Sequence, residues 1–112
     1  MSEITLSQTA VPSSATTAAV RTVVLELRVR NHPGTMSHIT GLFARRAFNL
    51  EAIACAPVDD GSVSRVLLLL PDEPRLEQVE RQLEKLHDVL TVQHRPDVDA
   101  EFFRRLFASA SP

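Results

Sequence analysis

Residues 22–34 read TVVLELRVRNHPG, and this stretch decides the fold. Four of its apolar side chains recur at every second position: Val23, Leu25, Leu27 and Val29. Glu26 and Arg28 lie between them and point to the opposite side, and a period of two is the pattern of a strand with one buried face. We therefore predict a strand over Thr22–Val29. Arg30–Gly34 supplies turn-forming residues that end it.

The residues after this turn follow the period of a helix. The predicted helix begins near Thr35, and one side of it carries Met36, Ile39, Thr40, Phe43 and Ala47. Spacings of three and four residues are typical of an amphipathic helix with one buried stripe. Phe48 and Asn49 are predicted to close it.

Three more strands and one more helix are predicted downstream. Leu50–Val58 and Ser62–Leu70 flank the tight turn Asp59–Gly61 and form a hairpin. The second helix follows Pro71–Pro74, and its buried stripe is Leu76, Val79, Leu83 and Leu86. Val89–His94 is the fourth strand. This β-α-β-β-α-β order indicates an α+β, ferredoxin-like fold with a four-stranded antiparallel sheet and two helices.

The two ends of the chain are predicted to be tails around a single domain. Residues 1–21 are rich in Ser, Thr and Ala, which indicates a flexible tail. The domain is predicted over residues 22–95 and a C-terminal tail over residues 96–112. After Pro96 this tail is predicted to form a short helix with the apolar side Val98, Phe102, Leu106 and Phe107.

Composition and charge exclude several classes of protein. The formal net charge of the 112 residues is −2, which argues against a general nucleic-acid binder. No stretch approaches the roughly 20 apolar residues that span a bilayer. Cys55 is the single cysteine, so an internal disulfide and a multi-cysteine metal site are excluded. Because the first 20 residues also lack the basic start of a secretory signal, a cytoplasmic location is predicted.

Three functions known on this element order find little support in the residues. RNA binding needs aromatic rings on the sheet, but the chain has no Tyr or Trp, and its five Phe fall at helical or tail positions. The four histidines, His32, His38, His87 and His94, lack metal-site spacing and are interpreted as solvated or hydrogen-bonded. No nucleophile elbow or phosphate-binding glycine loop is present, so catalysis is not expected.

The loop between the first strand and the first helix does resemble a binding site. The first amides of a helix have no intrahelical acceptor and carry the positive end of its dipole, so they can bind a carboxylate. Gly34 permits close approach of a ligand to the backbone. Asn31 offers a side-chain amide next to the turn. Asn49 offers a second one if the strand that it begins lies beside the loop. An α-amino acid would suit these groups, although both residues could equally well serve only the turn and the helix end.

The stretch from Val24 to Asn49, which contains VRNHPG at 29–34 and GLFARRAFN at 41–49, strongly resembles acetohydroxyacid synthase (acetolactate synthase) small subunits. The likeness is to the short form of bacterial isozyme I. It continues through LEAI at 50–53 and RLEQ at 75–78 and covers about Val23 to Arg95. Many members carry a second domain after the first, and its absence here fits the short form. The C-terminal helix is then either a contact with a partner or a flap over the domain's own core.

The resemblance implies a non-catalytic regulatory subunit built on an ACT domain. ACT domains pair side by side as dimers, and the amino-acid effector binds between two copies. The small subunit would bind the large catalytic subunit, raise its activity and confer feedback inhibition by a branched-chain amino acid, usually valine. Thiamine diphosphate, FAD and magnesium would belong to that partner, with no cofactor in this chain. The implied ligand-binding positions are Asn31, His32, Pro33, Gly34, Thr35, Met36, Asn49 and Cys55. The alternative is a free-standing ACT sensor that acts on a different enzyme or regulator.

Overall fold

The computed structural model describes residues 21–110, which form one four-stranded sheet and three helices. In chain order the elements are β1 (Thr22–Arg30), α1 (Thr35–Arg45), β2 (Ala52–Val58), β3 (Val63–Pro71), α2 (Leu76–Glu84), β4 (Val89–His94) and α3 (Ala100–Ala110). The predicted β-α-β-β-α-β order is confirmed, and α3 follows it. The predicted N-terminal tail, apart from Arg21, lies outside the described residues. No helix between residues 21 and 110 is long and apolar enough to cross a membrane.

The strands pair antiparallel in the order β2-β3-β1-β4, so β2 and β4 form the edges of the sheet. Both β1 and β2 run antiparallel to β3, and they therefore point the same way. Their last residues meet at one end of the sheet, where Arg30 and Val58 both pair with Val63. This end also carries the loop into α1.

The main core lies between the sheet and the pair of helices α1 and α2. Its β1 side chains are the predicted ones, and β3 contributes Val66, Leu68 and Leu70 to the same cluster. Leu67 and Leu69 point the other way and join a second cluster with Val24 and Phe103. Because β3 is covered on both faces, its residues form a continuous apolar run instead of an alternating one.

Helix α3 covers the second face of the sheet, and the prediction of its apolar side was wrong in one respect. The buried ring is Phe103, whose exposed fraction is 2%, whereas Phe102, Leu106 and Phe107 are 39%, 45% and 63% exposed. Val98 does pack against this second cluster, as predicted. The helix is thus a flap over the domain's own sheet, and part of its apolar surface stays open.

Helix α1 ends earlier than the apolar spacing predicts. Ala47 has φ 51° and stands outside the helix, which stops at Arg45. The backbone N–H of Phe48 then donates to the carbonyl oxygen of Phe43 at 3.0 Å, a bond that closes the helix around the left-handed Ala47. The rings of Phe43 and Phe48 pack with centroids 6.0 Å apart, and this apolar contact stabilises the turn.

Glu26 points away from the main core as predicted, yet it is only 5% exposed. Its carboxylate contacts Arg28 at 3.2 Å, Arg65 at 3.3 Å and the guanidinium of Arg95. Burial alone would raise the pKa of Glu26, but the hydrogen bonds from Arg95 and Arg28 and the charge of Arg65 outweigh it and lower that pKa. Pairing with cations is what allows a charge on this covered face.

Candidate effector-binding loop

Residues 31–34 connect β1 to α1 and lie at the end of the sheet where the last residues of β1 and β2 meet. Gly34 is the residue before the helix and has φ 92°, a left-handed conformation that a side chain disfavours. A Cβ added to it would meet only the His38 ring, at 4.0 Å. Backbone conformation, more than lack of space, is therefore the reason for glycine here.

The N-terminus of α1 has the features of an anion receptor. No side chain caps it, and its first turn contains no acidic residue. The Thr35 amide donates to His32 O at 3.2 Å and the His38 amide donates to Gly34 O at 3.0 Å. Helix geometry leaves the amides of Met36 and Ser37 without an intrahelical acceptor. These two N–H groups and the helix dipole can therefore act on an incoming carboxylate.

Two residues at the ends of the loop hold it against the sheet. The Asn31 side chain donates from Nδ2 to Gly61 O at 2.8 Å, and its backbone N–H donates to Ser62 O at 3.0 Å. Thr35 is buried, and its hydroxyl donates to Arg30 O at 2.9 Å. The hydroxyl and the amide of Thr35 are thus both engaged within the protein, whereas Asn31 retains its side-chain carbonyl oxygen as an acceptor.

A carboxylate that the sequence did not point to lies beside the loop. Asp88, in the turn between α2 and β4, is 4% exposed. Its Oδ1 lies 2.5 Å from Nε2 of His32, and its Oδ2 lies 3.3 Å from Nδ1 of His38. Its carbonyl oxygen accepts the Arg30 amide at 2.8 Å. The interpretation of these two histidines as hydrogen-bonded is confirmed, but their shared partner lies 56 positions from His32 and 50 positions from His38 in sequence and carries no motif.

The same contacts change the proton affinities of the pair. The carbonyl of Pro33, followed by the Asp88 carboxylate, raises the pKa of His32 above its ordinary value. Burial works to raise the pKa of Asp88, but hydrogen bonds from His32 and His38 outweigh burial and lower it. Within residues 21–110, no group of three or more His, Cys, Asp or Glu side chains is arranged to hold a metal ion.

Asn49 does not lie beside the loop of its own chain, contrary to the expectation from the sequence. It precedes β2, whose first residue, Ala52, pairs with Leu69 at the end of the sheet opposite Asn31. Its Nδ2 donates to the carboxylate of Glu51. Because β2 runs parallel to β1, its start and the β1–α1 loop are separated by the length of the sheet.

Cys55 lies halfway along β2 and is exposed at the edge of the sheet. Ile53 packs into the main core and Ala54 into the second cluster, so alternation places the Cys55 side chain on the face of α1 and α2. The predicted positions from Asn31 to Met36 lie together at the loop, whereas Cys55 lies on the edge strand β2 and Asn49 precedes that strand.

A separate apolar groove of about 340 Å³ lies on the other face, between β2 and α3. Most of its lining is apolar, and Arg65 is the charged residue in it: Ala54, Cys55, Ala56, Val58, Arg65, Leu67, Phe102 and Leu106.

Comparison with known proteins agrees with this fold. Residues 25–91 match the family model described as the AHAS small subunit-like ACT domain. The acetolactate synthase isozyme 1 small subunit of Escherichia coli K12 is 52% identical over 84 residues, which are 75% of this chain and 86% of that one. The isozyme 3 small subunit of the same organism is 43% identical over 70 residues, 62% of this chain and 43% of its own length.

A solved structure gives the same result. The acetolactate synthase small subunit from Thermotoga maritima superposes with a TM-score of 0.62 at 32% identity, covering 69% of this chain and 49% of that one. With the family model matching more than half of the residues, the chain belongs to the family of acetolactate synthase small subunits with an ACT domain.

Proposed function

We propose that this chain is a non-catalytic regulatory subunit of acetolactate synthase that binds a branched-chain amino acid, with L-valine as the first candidate. The observation that carries this proposal is the uncapped N-terminus of α1 beside Asn31, in a loop held in place by Gly61, Ser62 and Asp88. The ligand's carboxylate would accept from the Met36 and Ser37 amides, and its ammonium would donate to Asn31 Oδ1 and to carbonyl oxygens.

The free edge of β2 supports pairing with a second copy of the chain. Cys55, Ala56 and Pro57 are exposed there, and an edge strand presents unpaired backbone groups. Asn49 lies six residues before Cys55, and Gly61 lies six residues after it. In a two-fold antiparallel pair centred on Cys55, Asn49 of a second copy would therefore lie opposite Gly61, whose carbonyl holds Asn31. Asn31 and Asn49 lie at opposite ends of the sheet within one chain, but in such a dimer they would border the same site.

Mixed dimers test this shared site. We expect Asn31→Ala and Asn49→Ala each to weaken L-valine binding by about 1–3 kcal/mol, the usual loss when a buried polar partner is removed. In a re-equilibrated equimolar mixture of the two variants, half of the dimers would carry one chain of each kind. One site in each mixed dimer then has both asparagines, so about one quarter of all sites recover the original affinity.

Isothermal titration calorimetry of the mixture measures that recovered fraction. Gln93→Ala, on β4, is the matched control and should leave the affinity unchanged. If both asparagines served a site within one chain, every chain in the mixture would carry a damaged site and no recovery would occur. That result would remove the interface site from the proposal.

The regulatory mechanism we propose is linkage between effector and catalytic subunit. An effector that binds one arrangement of the dimer better than another, with a coupling of about 1–3 kcal/mol, shifts the equilibrium between the two arrangements roughly 5- to 150-fold, and the partner's activity follows that equilibrium. Selectivity among valine, leucine and isoleucine is expected to be modest, since one methylene contributes about 1–3 kcal/mol in a pocket. Thiamine diphosphate, FAD and magnesium would be bound by the catalytic subunit, and a cytoplasmic location belongs to the same proposal.

Copurification separates this proposal from a free-standing ACT sensor with another client. The chain carrying an affinity tag is expected to retain a thiamine-dependent large subunit when it is isolated from its own cells. Recovery of a different enzyme or regulator in stoichiometric amount would favour the sensor. The names of the relatives, which are small subunits of acetolactate synthase, support the first outcome.

A further inference from the structure

Both ring nitrogens of His32 face hydrogen-bond acceptors. Nδ1 lies 2.8 Å from the carbonyl oxygen of Pro33, and Nε2 lies 2.5 Å from Oδ1 of Asp88. A carbonyl oxygen can only accept, and so can an ionised carboxylate. A neutral imidazole has a single N–H and can therefore donate to only one of the two acceptors. Its other nitrogen would then face the second acceptor with a lone pair, which is repulsive. With Asp88 ionised, only the imidazolium form of His32 satisfies both contacts.

These contacts connect Asp88 to both sides of the helix N-terminus. Through His32 the carboxylate reaches Pro33, which immediately precedes the left-handed Gly34. Through His38 it reaches the first turn of α1, and its backbone carbonyl holds Arg30 at the start of the loop. Because Asp88 is buried, it is a fixed point to which the exposed loop is attached.

We propose that Asp88 and the two histidines form a proton-dependent clasp that holds the loop in its ligand-binding conformation, so that effector affinity falls as pH rises. Asp88 is a positioning residue in this account and does not contact the ligand. The inference rests on the proposed function, in which this loop is the effector receptor.

The direction of the pH effect follows from the state of His32. Its folded-state pKa is raised above the ordinary value of 6.5. The clasp therefore gives its full stabilisation of the loop below pH 6.5, and this stabilisation is lost as the pH rises through the folded-state pKa. Asp88 stays ionised in this range because its pKa is lowered. The other charged groups that face the cluster are Arg30, which disfavours the imidazolium, and His87, which favours the carboxylate. The α-carboxyl group of an amino acid has a pKa of about 3.5, so the ligand's carboxylate stays ionised between about pH 5.5 and 8.

Calorimetry of the full chain with L-valine across that range tests the clasp. We expect the Kd of the original chain to rise by about threefold from low to high pH, since His32 is half exposed and such pairs contribute modestly. His32→Gln and Asp88→Asn should bind more weakly at low pH and show a flat profile. The matched control is His94→Gln, which removes a histidine paired with Glu80 at 2.7 Å on another part of the surface and should keep the original profile. A flat profile in the original chain, or the same profile in His32→Gln, would overturn the inference.

NMR of the histidine rings gives a readout that needs no ligand. We expect both ring nitrogens of His32 to be protonated at the low end of this pH range, with a pKa above that of His32 in the Asp88→Asn variant. A neutral His32 with an unshifted pKa would overturn the clasp even if valine binds. A chain that binds no valine at any pH, but shows the protonated ring, would instead contradict the proposed function and leave the clasp in place.

Discussion

A Gly34→Asp chain is expected to lose its response to valine, with affinity reduced by at least about 100-fold, because like charges placed together cost several kcal/mol. The new carboxylate would lie at the N-terminus of α1, next to the Met36 and Ser37 amides, and would accept the hydrogen bonds meant for the ligand's carboxylate. The left-handed φ of 92° at this position adds backbone strain of about 1–2 kcal/mol.

Valine inhibition of the holoenzyme reconstituted with this variant measures the effect. Gly34→Ala carries the same strain without the charge and should lose only part of the response. Unchanged inhibition in the Gly34→Asp holoenzyme would show that the effector binds elsewhere.

Replacing Phe103 by alanine is expected to lower the free energy of unfolding by about 3–5 kcal/mol, the usual cost of deleting a buried ring. Phe103 is the ring that α3 inserts against Val24, Leu67 and Leu69, and its loss would leave a cavity on that face of the sheet. The same change would expose the carboxylate of Glu26 and its arginine partners if α3 separated from the sheet.

Urea unfolding of Phe103→Ala and Phe102→Ala compares two neighbouring rings. Phe102 packs edge-on against Phe103 with centroids 5.3 Å apart but is 39% exposed, so its removal should cost about 1 kcal/mol or less. Equal losses for the two variants would contradict the assignment of Phe103 as the anchor of α3.

Periodicity in the sequence was sufficient to predict the helices and strands, because each of them is formed by residues that are close together in the chain. The alternation at Val23, Leu25, Leu27 and Val29 and the stripe at Leu76, Val79 and Leu83 predicted the buried faces of β1 and α2. The fourth strand, Val89–His94, has the predicted limits. The run from Asn31 to Gly34 identified the candidate site, and the longer stretch from Val24 to Asn49 identified the family by its resemblance.

The positions that were misplaced depend on contacts between distant segments. Phe102 and Phe103 are adjacent in an amphipathic helix, and only the docking of α3 on Val24 and Leu67 decides which ring is buried. Ala47 fits the apolar spacing of α1, but the packing of Phe48 on Phe43 favours a left-handed turn there.

The sequence by itself determined the strands, the helices, the family and the loop that offers free amides to a carboxylate, because local periodicity and short motifs carry that information. Only the tertiary structure decided that Asn49 lies at the far end of the sheet from Asn31 and that Asp88 joins His32 to His38. Strand order and long-range contacts set these distances, and neither leaves a periodic signal in the chain. The charge state required of His32 is likewise a property of two acceptors brought together by folding.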